Sequence, residues 1–464
     1  MYLVMPIYCI DAYFSYIIMK EVAKMYRILL NRLLQWKDSP LRKPLLLKGI
    51  RQVGKTYLLM DFGNEAYHDV AYFNFEGNSA LAERFKGDFD TKRILTELGI
   101  LHGKALVPGE TLVIFDEIQF CPEAITALKY FQEGSPEYHI VCAGSLLGIA
   151  LSRPTSYPVG KVDIMTLRPM NFHEFLLACG EEMLVEYLSS EAPKLTPVSA
   201  MFVDRLVVHL RNYMIVGGMP EAVATWLRTQ DISAVDTVQR NILSLYELDF
   251  AKHAPASDIP KLNMIWNSIP HQLAKINGKF VYGMLRQGAG ARAFENAMAW
   301  LQSAGMVHKV RQIEKPAMPL ESYARNSYFK LYVPDVGLLR RMANLSAKSI
   351  LEEGALYQEF KGALAENYCL QELVAQLDDI PFYWNSGNTA EVDFVVQFAD
   401  QIVPIEVKAA ANVRAKSLMV YREKYHPPVI VRSSLRNLGY QDGILSCPHY
   451  LIWGLANILK KIIT

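Results

Sequence analysis

The residues best suited to chemistry lie in three short stretches of the N-terminal third. Gly49-Ile50-Arg51-Gln52-Val53-Gly54-Lys55-Thr56 follows the spacing GxxxxGK[ST], between a short apolar run and a helical pattern. Each position has a chemical reason. The glycines let the backbone curl so that its N–H groups point inward at phosphate oxygens. Lys55 reaches the β- and γ-phosphates and Thr56 offers a hydroxyl to Mg²⁺. With Tyr57, the stretch 49–57 is the expected nucleotide-binding segment. Thr111-Leu-Val-Ile-Phe-Asp116-Glu117 is an apolar strand that ends in two carboxylates. In a parallel sheet such a strand delivers its acids beside the phosphate loop. Asp116 is expected to hold Mg²⁺ through water, and Glu117 to polarise the attacking water. The run His139–Ala143 leads into Gly144-Ser145. Ser145 reads in two compatible ways, as a contact to the γ-phosphate or lytic water and as a helix N-cap. The expected ligands are ATP and Mg²⁺, with Lys55, Glu117 and Ser145 as catalytic groups.

A second constellation lies near the C-terminus. Glu391-Val-Asp393 is followed by Pro404-Ile-Glu406-Val-Lys408, and both segments read as strands. Asp393, Glu406 and Lys408 would then meet at one end of a hairpin, with Glu366 on the preceding helix completing the set. Carboxylates there can hold Mg²⁺, and Lys408 can position a water or stabilise charge on a phosphate. The other reading is a surface ion pair, since Glu and Lys two apart on a strand share a face.

Positioning these groups takes several elements. Up to Arg168, short apolar runs (44–48, 71–76, 111–115, 139–143) alternate with helical patterns (56–61, 79–84, 90–98, 122–132), which predicts a parallel sheet covered on both faces. From 171 to 228 the pattern is helical and is broken by the turn Gly217-Gly218-Met219-Pro220. Helices at 265–275 and 293–303 precede strands at 306–311 and 328–333, an order that suggests a winged helix. Its basic residues Lys275, Lys279, Arg286, Arg292, Lys309 and Arg311 read either as phosphate contacts or as a solvated face. A long helix, 357–377, and then strands complete the chain.

Composition bounds the rest. The 464 residues allow two or three domains, and 51% hydrophobic residues exclude a mostly disordered chain. A net charge of +1 excludes a globally basic coat protein but not a local basic face. The six cysteines have no CxxC spacing, which fits a reducing cytoplasm and no zinc module. There is no HExxH and no GxSxG, so neither a zinc protease nor a serine hydrolase is indicated. Residues 1–24 are apolar, but Asp11 interrupts the run and no basic segment precedes it. Met25 is the expected natural start and 1–24 an extension of the reading frame. A membrane anchor is the alternative, and no stable membrane association is expected.

Several motifs recur together and in order. They are Gly49–Thr56 with Arg51-Gln52 inside it, Asp116-Glu117, Gly144-Ser145, Leu167-Arg-Pro-Met-Asn-Phe-His-Glu-Phe175, Gly217-Gly-Met-Pro-Glu221, Asp335-Val-Gly-Leu-Leu339 and Glu391-Val-Asp393. Through them the chain resembles, over roughly 25–440, the prokaryotic AAA-type ATPases that carry a C-terminal domain of unknown function, DUF4143. The resemblance implies an α/β fold in four parts. These are an AAA+-like P-loop core (25–168), a helical lid (169–255), a winged helix (256–345) and an α/β restriction-endonuclease-like tail of PD-(D/E)xK type (346–464). The family pattern has Gly-Arg before a proline-containing segment where this chain has Gly160-Lys161, so Lys161, Arg153 and Arg168 become the basic residues expected to act across a subunit contact. Two functions follow. One is a cytoplasmic Mg-dependent ATPase coupled to a nuclease-like tail that acts on DNA. The other is an ATP-gated switch whose non-catalytic tail binds a protein partner, either in a homo-oligomer or with another protein.

Overall fold

A computed structural model describes residues 25–145, 148, 158, 160–275, 278–351, 358–387, 390–409 and 416–463. Two compact units divide the chain. One runs to Arg168 and includes Ser303–Gly305; the other comprises Pro169–Gln302 and Met306–Thr464.

The first unit is built on five parallel strands: β1 (Leu45–Lys48), β2 (Asp69–Asn74), β3 (Thr111–Asp116), β4 (His139–Ala143) and β5 (Asp163–Thr166), in the order β2-β3-β4-β1-β5. Every residue of β3 and β4 is buried, as expected for strands with helices on both faces. Helices Lys55–Ala66, Thr91–His102 and Pro122–Gly134 follow β1, β2 and β3 through the chain. Phe75, Phe85 and Phe115 meet edge to face with centroids 5.5–5.6 Å apart, which fills the sheet's outer flank with large rings. The sequence pattern missed β5. Asp163-Ile-Met-Thr is an edge strand with no fully buried residue, so it lacks the continuous apolar signature of its neighbours.

The second unit begins with helices. Phe172–Ala178 opens with a capping box: the Glu174 amide donates to the Asn171 side chain at 2.9 Å, and the Asn171 amide donates to the Glu174 carboxylate at 3.2 Å. Glu182–Glu191, Ala200–Val216, Pro220–Thr229 and the 22-residue Ile232–His253 follow. The last was not legible because its charged residues fall among the apolar ones without a clean stripe. These helices pack into the C-terminal part of the same unit through buried polar contacts. The Phe172 amide donates to Glu372 at 2.8 Å, and the Gly218 amide donates to Asp335 at 2.6 Å. The stretch 169–255, expected as a lid of the ATPase core, thus shares its packed core with the tail.

Helices Ile259–Leu273 and Ala291–Ser303 lead into an antiparallel hairpin, β6 (His308–Ile313) and β7 (Ala324–Tyr332). The helices and hairpin expected for a winged helix are present, but the hairpin is not a separate wing. β6 pairs in parallel with β8 (Phe382–Asn385), Gln312 opposite Tyr383 and Ile313 opposite Trp384. Through that pairing the hairpin joins β9 (Glu391–Phe398), β10 (Gln401–Val407), β11 (Ile430–Ser434), β12 (Gly439–Gln441) and β13 (Ile444–Pro448) in one eight-stranded sheet, ordered β12-β13-β11-β10-β9-β8-β6-β7. The expected boundary at 345/346 therefore runs across a continuous sheet. The free edge of β6 must be hydrogen-bonded or covered, and Ile313 is buried in one cluster with Trp384, Val392 and Val395.

Within this sheet the order is helix Gln358–Leu377, three strands paired antiparallel (β8, β9, β10), helix Lys416–Tyr425, then β11 parallel to β10. Among the described residues, no helix is long and apolar enough to cross a membrane.

Candidate nucleotide site and C-terminal carboxylate cluster

The loop after β1 is shaped by crowding and by backbone conformation. A Cβ on Gly49 would lie 2.4 Å from the Leu167 carbonyl oxygen and 3.0 Å from Val53, so only glycine fits. Gln52 (φ 63°) and Gly54 (φ 91°) are left-handed, the bend that turns successive amides to the inside of a loop. Arg27 braces the loop from outside the motif. Its guanidinium donates to the Val53 carbonyl at 3.0 Å and to the Arg168 carbonyl at 2.5 Å. The Gln52 side-chain oxygen is buried and accepts no hydrogen bond among the described residues. Ile50 is buried, while Arg51 and Tyr57 are half-buried.

Lys55 is the first residue of its helix and is buried. Its ammonium donates to the carbonyls of Gly49 (2.9 Å) and Ile50 (3.0 Å). The next residue carries the link to β3: the Thr56 hydroxyl donates to Asp116 Oδ2 at 2.7 Å. Tyr72, from β2, donates to the same oxygen at 2.8 Å, and the Glu117 amide donates to Oδ1 at 2.9 Å. Burial, and then the Glu117 charge, push the Asp116 carboxyl up, while the bonds from Thr56, Tyr72 and the Glu117 amide hold it down.

Glu117 is left-handed (φ 49°, ψ 41°). That bend turns it out of the strand, and its carboxylate accepts from Gln119 Nε2 and, at 3.4 Å, from the Ser145 hydroxyl. Ser145 therefore meets Glu117 directly. The helix it would cap falls mostly outside the described residues. Five of the expected groups, Lys55, Thr56, Asp116, Glu117 and Ser145, come together at the C-terminal ends of β1, β3 and β4. The sequence reading missed Arg27, Tyr72 and Gln119, since none of them belongs to a motif. Thr56 and Asp116 present adjacent hard oxygens, which suits Mg²⁺. The loop's left-handed bend and its lysine suit a triphosphate.

Of the basic residues expected across a subunit contact, Lys161 forms an ion pair with Glu133 at 2.9 Å in its own chain. Arg168 receives the Arg27 bond on its carbonyl. Arg153 lies outside the described residues.

In the second unit, Glu366, Asp393, Glu406 and Lys408 do converge, but a residue absent from the motif sits among them. Lys330, on β7, is 1% exposed. Its ammonium lies 2.7 Å from Glu391, 3.2 Å from Glu366 and 4.0 Å from Asp393. The Tyr332 hydroxyl donates to Glu366 at 2.7 Å. Asp393 accepts from the Val407 amide at 2.8 Å, and Lys408 pairs with Glu406 at 2.6 Å. Burial and then Glu366 push the Asp393 carboxyl up, against the pull of Lys330. Burial works against the Lys330 ammonium, but Glu366, Tyr332, Glu391 and Asp393 together hold its pKa well above the ordinary lysine value. The sequence did carry a signal for Lys330: Phe329-Lys330-Leu331 is a lysine between two apolar residues, and all three are buried. The Glu406–Lys408 pair is not a solvated surface pair, because Glu406 is 2% exposed.

The six basic residues of the hairpin region divide into two groups. Lys279 lies over the Tyr328 ring at 3.8 Å, Lys309 lies over Phe329 at 4.4 Å, and Arg311 pairs with Glu321 at 2.5 Å. Lys275, Arg286 and Arg292 are exposed.

Residues 41–176 match the profile of an AAA domain, 207–349 a domain of unknown function, DUF8612, and 361–450 a domain of unknown function, DUF4143. The first and last of these support an AAA-type ATPase with a DUF4143 C-terminal domain. No curated protein matches the chain. Among solved structures, the Walker-type ATPase PABY2304 of Pyrococcus abyssi is 15% identical, over 68% of this chain and 95% of its own, with a TM-score of 0.43. The Orc1 protein of Aeropyrum pernix in complex with DNA is 13% identical over 69% and 93%, with a TM-score of 0.28. Cdc6p of Pyrobaculum aerophilum is 13% identical over 72% and 96%, with a TM-score of 0.24.

Proposed function

We propose that this AAA-type chain hydrolyses ATP with Mg²⁺ in its first unit and that its C-terminal region, of restriction-endonuclease-like build, acts on nucleic acid. The observation that carries the ATPase reading is the 2.7 Å contact between Thr56 and Asp116, which joins the phosphate loop to the acidic end of β3. Thr56 and Asp116 would hold Mg²⁺, whose charge offsets that of the phosphates. Lys55 exchanges two neutral carbonyl acceptors for β- and γ-phosphate oxygens. Glu117 orients the attacking water and takes its proton. Ser145 and Gln119 hold the Glu117 carboxylate in place, so Ser145 is a positioning residue. In a homo-oligomer Lys161 or Arg168 would supply charge across the subunit contact, and Lys161 would first have to leave Glu133.

For the tail, the helix–three strands–helix–strand order and the placement of Asp393, Glu406 and Lys408 support the nuclease-like build. The exposed Lys275, Arg286 and Arg292 supply charge for a phosphate backbone. A cytoplasmic setting fits the five described cysteines, all of them free thiols. The second reading, an ATP-gated switch with a non-catalytic tail that binds a protein, is favoured by Lys330 amid the carboxylates.

ATP turnover measured with and without DNA separates the two. DNA should raise turnover under the first reading and leave it flat under the second. DNA incubated with Mg²⁺ or Mn²⁺ and the wild type, Asp393→Ala or Lys408→Ala tests cutting. Equal cleavage by all three would mean a contaminant and end the nuclease assignment.

A further inference from the structure

We infer that the tail carries its own cation: the Lys330 ammonium sits on carboxylates, Glu366 and Asp393 among them, that a PD-(D/E)xK site would offer to a divalent ion, so the wild-type tail recruits neither Mg²⁺ nor Mn²⁺ at Asp393 and Glu406. The inference rests on the nuclease-like reading of the tail for the expectation of a metal, and on the geometry for its exclusion.

A buried ammonium without counter-charge is strongly disfavoured, and so is a buried carboxylate. The sheet solves both problems at once. Lys330 enters from β7, the edge strand that the β6–β8 pairing brings into the tail's sheet. It reaches Glu391 and Asp393 on β9 and Glu366 on the long helix, at 2.7, 4.0 and 3.2 Å. Part of the oxygen set that a metal would need is already engaged. Glu366 Oε2 accepts from both Lys330 and Tyr332. Asp393 Oδ2 takes the Val407 amide, and Glu406 Oε1 takes Lys408. Glu406 Oε2 is buried with no hydrogen-bond partner among the described residues, and Asp393 Oδ1 faces the Lys330 ammonium at 4.0 Å; two such oxygens leave most of an octahedral sphere unfilled. With the ammonium among them the carboxylates stand apart: among the described residues, no three Asp, Glu, His or Cys side chains lie closely enough to hold a metal ion, and removing Lys330 would let Asp393 and its neighbours close on one. An ammonium and a hard divalent ion compete for the same carboxylates, and the ammonium is tethered.

The test is Mn²⁺ binding to the full-length chain without nucleotide or DNA, read by the loss of the free-Mn²⁺ electron paramagnetic resonance signal. Every protein carries Asp116→Asn to silence the first unit. The tail of that parent should bind no Mn²⁺, and adding Asp393→Asn should change nothing. Adding Lys330→Ala should create one Mn²⁺ site per chain, at least tenfold tighter than any residual binding, and Asp393→Asn should abolish it. An Mn²⁺ site in the parent that Asp393→Asn removes would overturn the inference, as would a folded Lys330→Ala protein that gains none. If Lys330→Ala does not fold, the parent against its Asp393→Asn derivative still decides the question. The titration contains no DNA, so it stands whether or not the tail acts on nucleic acid.

Discussion

Two buried lysines, Lys55 and Lys330, stand in the two candidate sites, and the partners described for them differ in kind. Lys55 donates to neutral carbonyls five and six residues before it in its own loop. A phosphate oxygen can take over such bonds at little cost. Lys330 lies on carboxylates, the nearest of them in sequence 36 residues away, contributed by a helix and by another strand. Nothing neutral can replace those partners. On the proposed function, the first arrangement exchanges ligands. The second is a charge cluster that ties a hairpin to the rest of a sheet.

The largest expected effect tests the exchange side. Lys55→Ala should leave no measurable ATP binding by calorimetry, and retained affinity within tenfold of wild type would break the contrast. Next comes Glu117→Gln, which should bind ATP normally yet turn over about a hundredfold more slowly, the size of a lost general base. Undiminished turnover would remove Glu117 from that role. On the cluster side, Lys330→Ala at neutral pH should cost about 3–5 kcal/mol of unfolding free energy, since it strands buried carboxylates. A loss under about 1 kcal/mol in denaturant titration would mean the cluster is solvated like a surface pair.

A smaller, graded effect comes from Glu372. Burial first, and Glu174 second, push its carboxyl up to about 8, against the Phe172 amide bond and from an ordinary value of 4.5. The folded state then keeps a proton that the unfolded chain gives up. Its contribution to stability is full below pH 4.5 and is lost as pH rises towards 8. Across that window stability should fall by up to about 1.4 kcal/mol per pH unit. Glu372→Gln should flatten that part of the pH profile, and an unchanged slope would show that the group titrates normally. Least of all, Ser145→Ala should lower kcat about threefold with KM unchanged, as expected for a hydroxyl that only steadies Glu117 at 3.4 Å.

The first unit was the more legible. Three of its strands, β1, β3 and β4, read directly from apolar runs because they are buried between neighbours, and the half-buried edge strand β2 read from its aromatic residues. The glycine and lysine spacing of the loop fixes a backbone shape within eight residues. Its helpers were not legible. Arg27 acts on Val53 across 26 residues, and Tyr72 reaches Asp116 across 44. The second unit misled in an instructive way. Its hairpin and most of its helices were found, but Ile232–His253 was not, and the hairpin's edge was assigned to a wing of its own.

The sequence by itself determined the loop and strand end on which the proposed ATP chemistry rests, because a curled loop and an acid-tipped strand are local properties of consecutive residues. It also determined that Asp393, Glu406 and Lys408 share a hairpin. Only the tertiary structure decided what stands among those carboxylates. The pairing of β6 with β8 joins segments about 70 residues apart, and it follows from hydrogen-bond satisfaction at a strand edge and shared burial, which leave no spacing to read. That pairing brings the β6–β7 hairpin, and with it the Lys330 ammonium, into the tail's sheet.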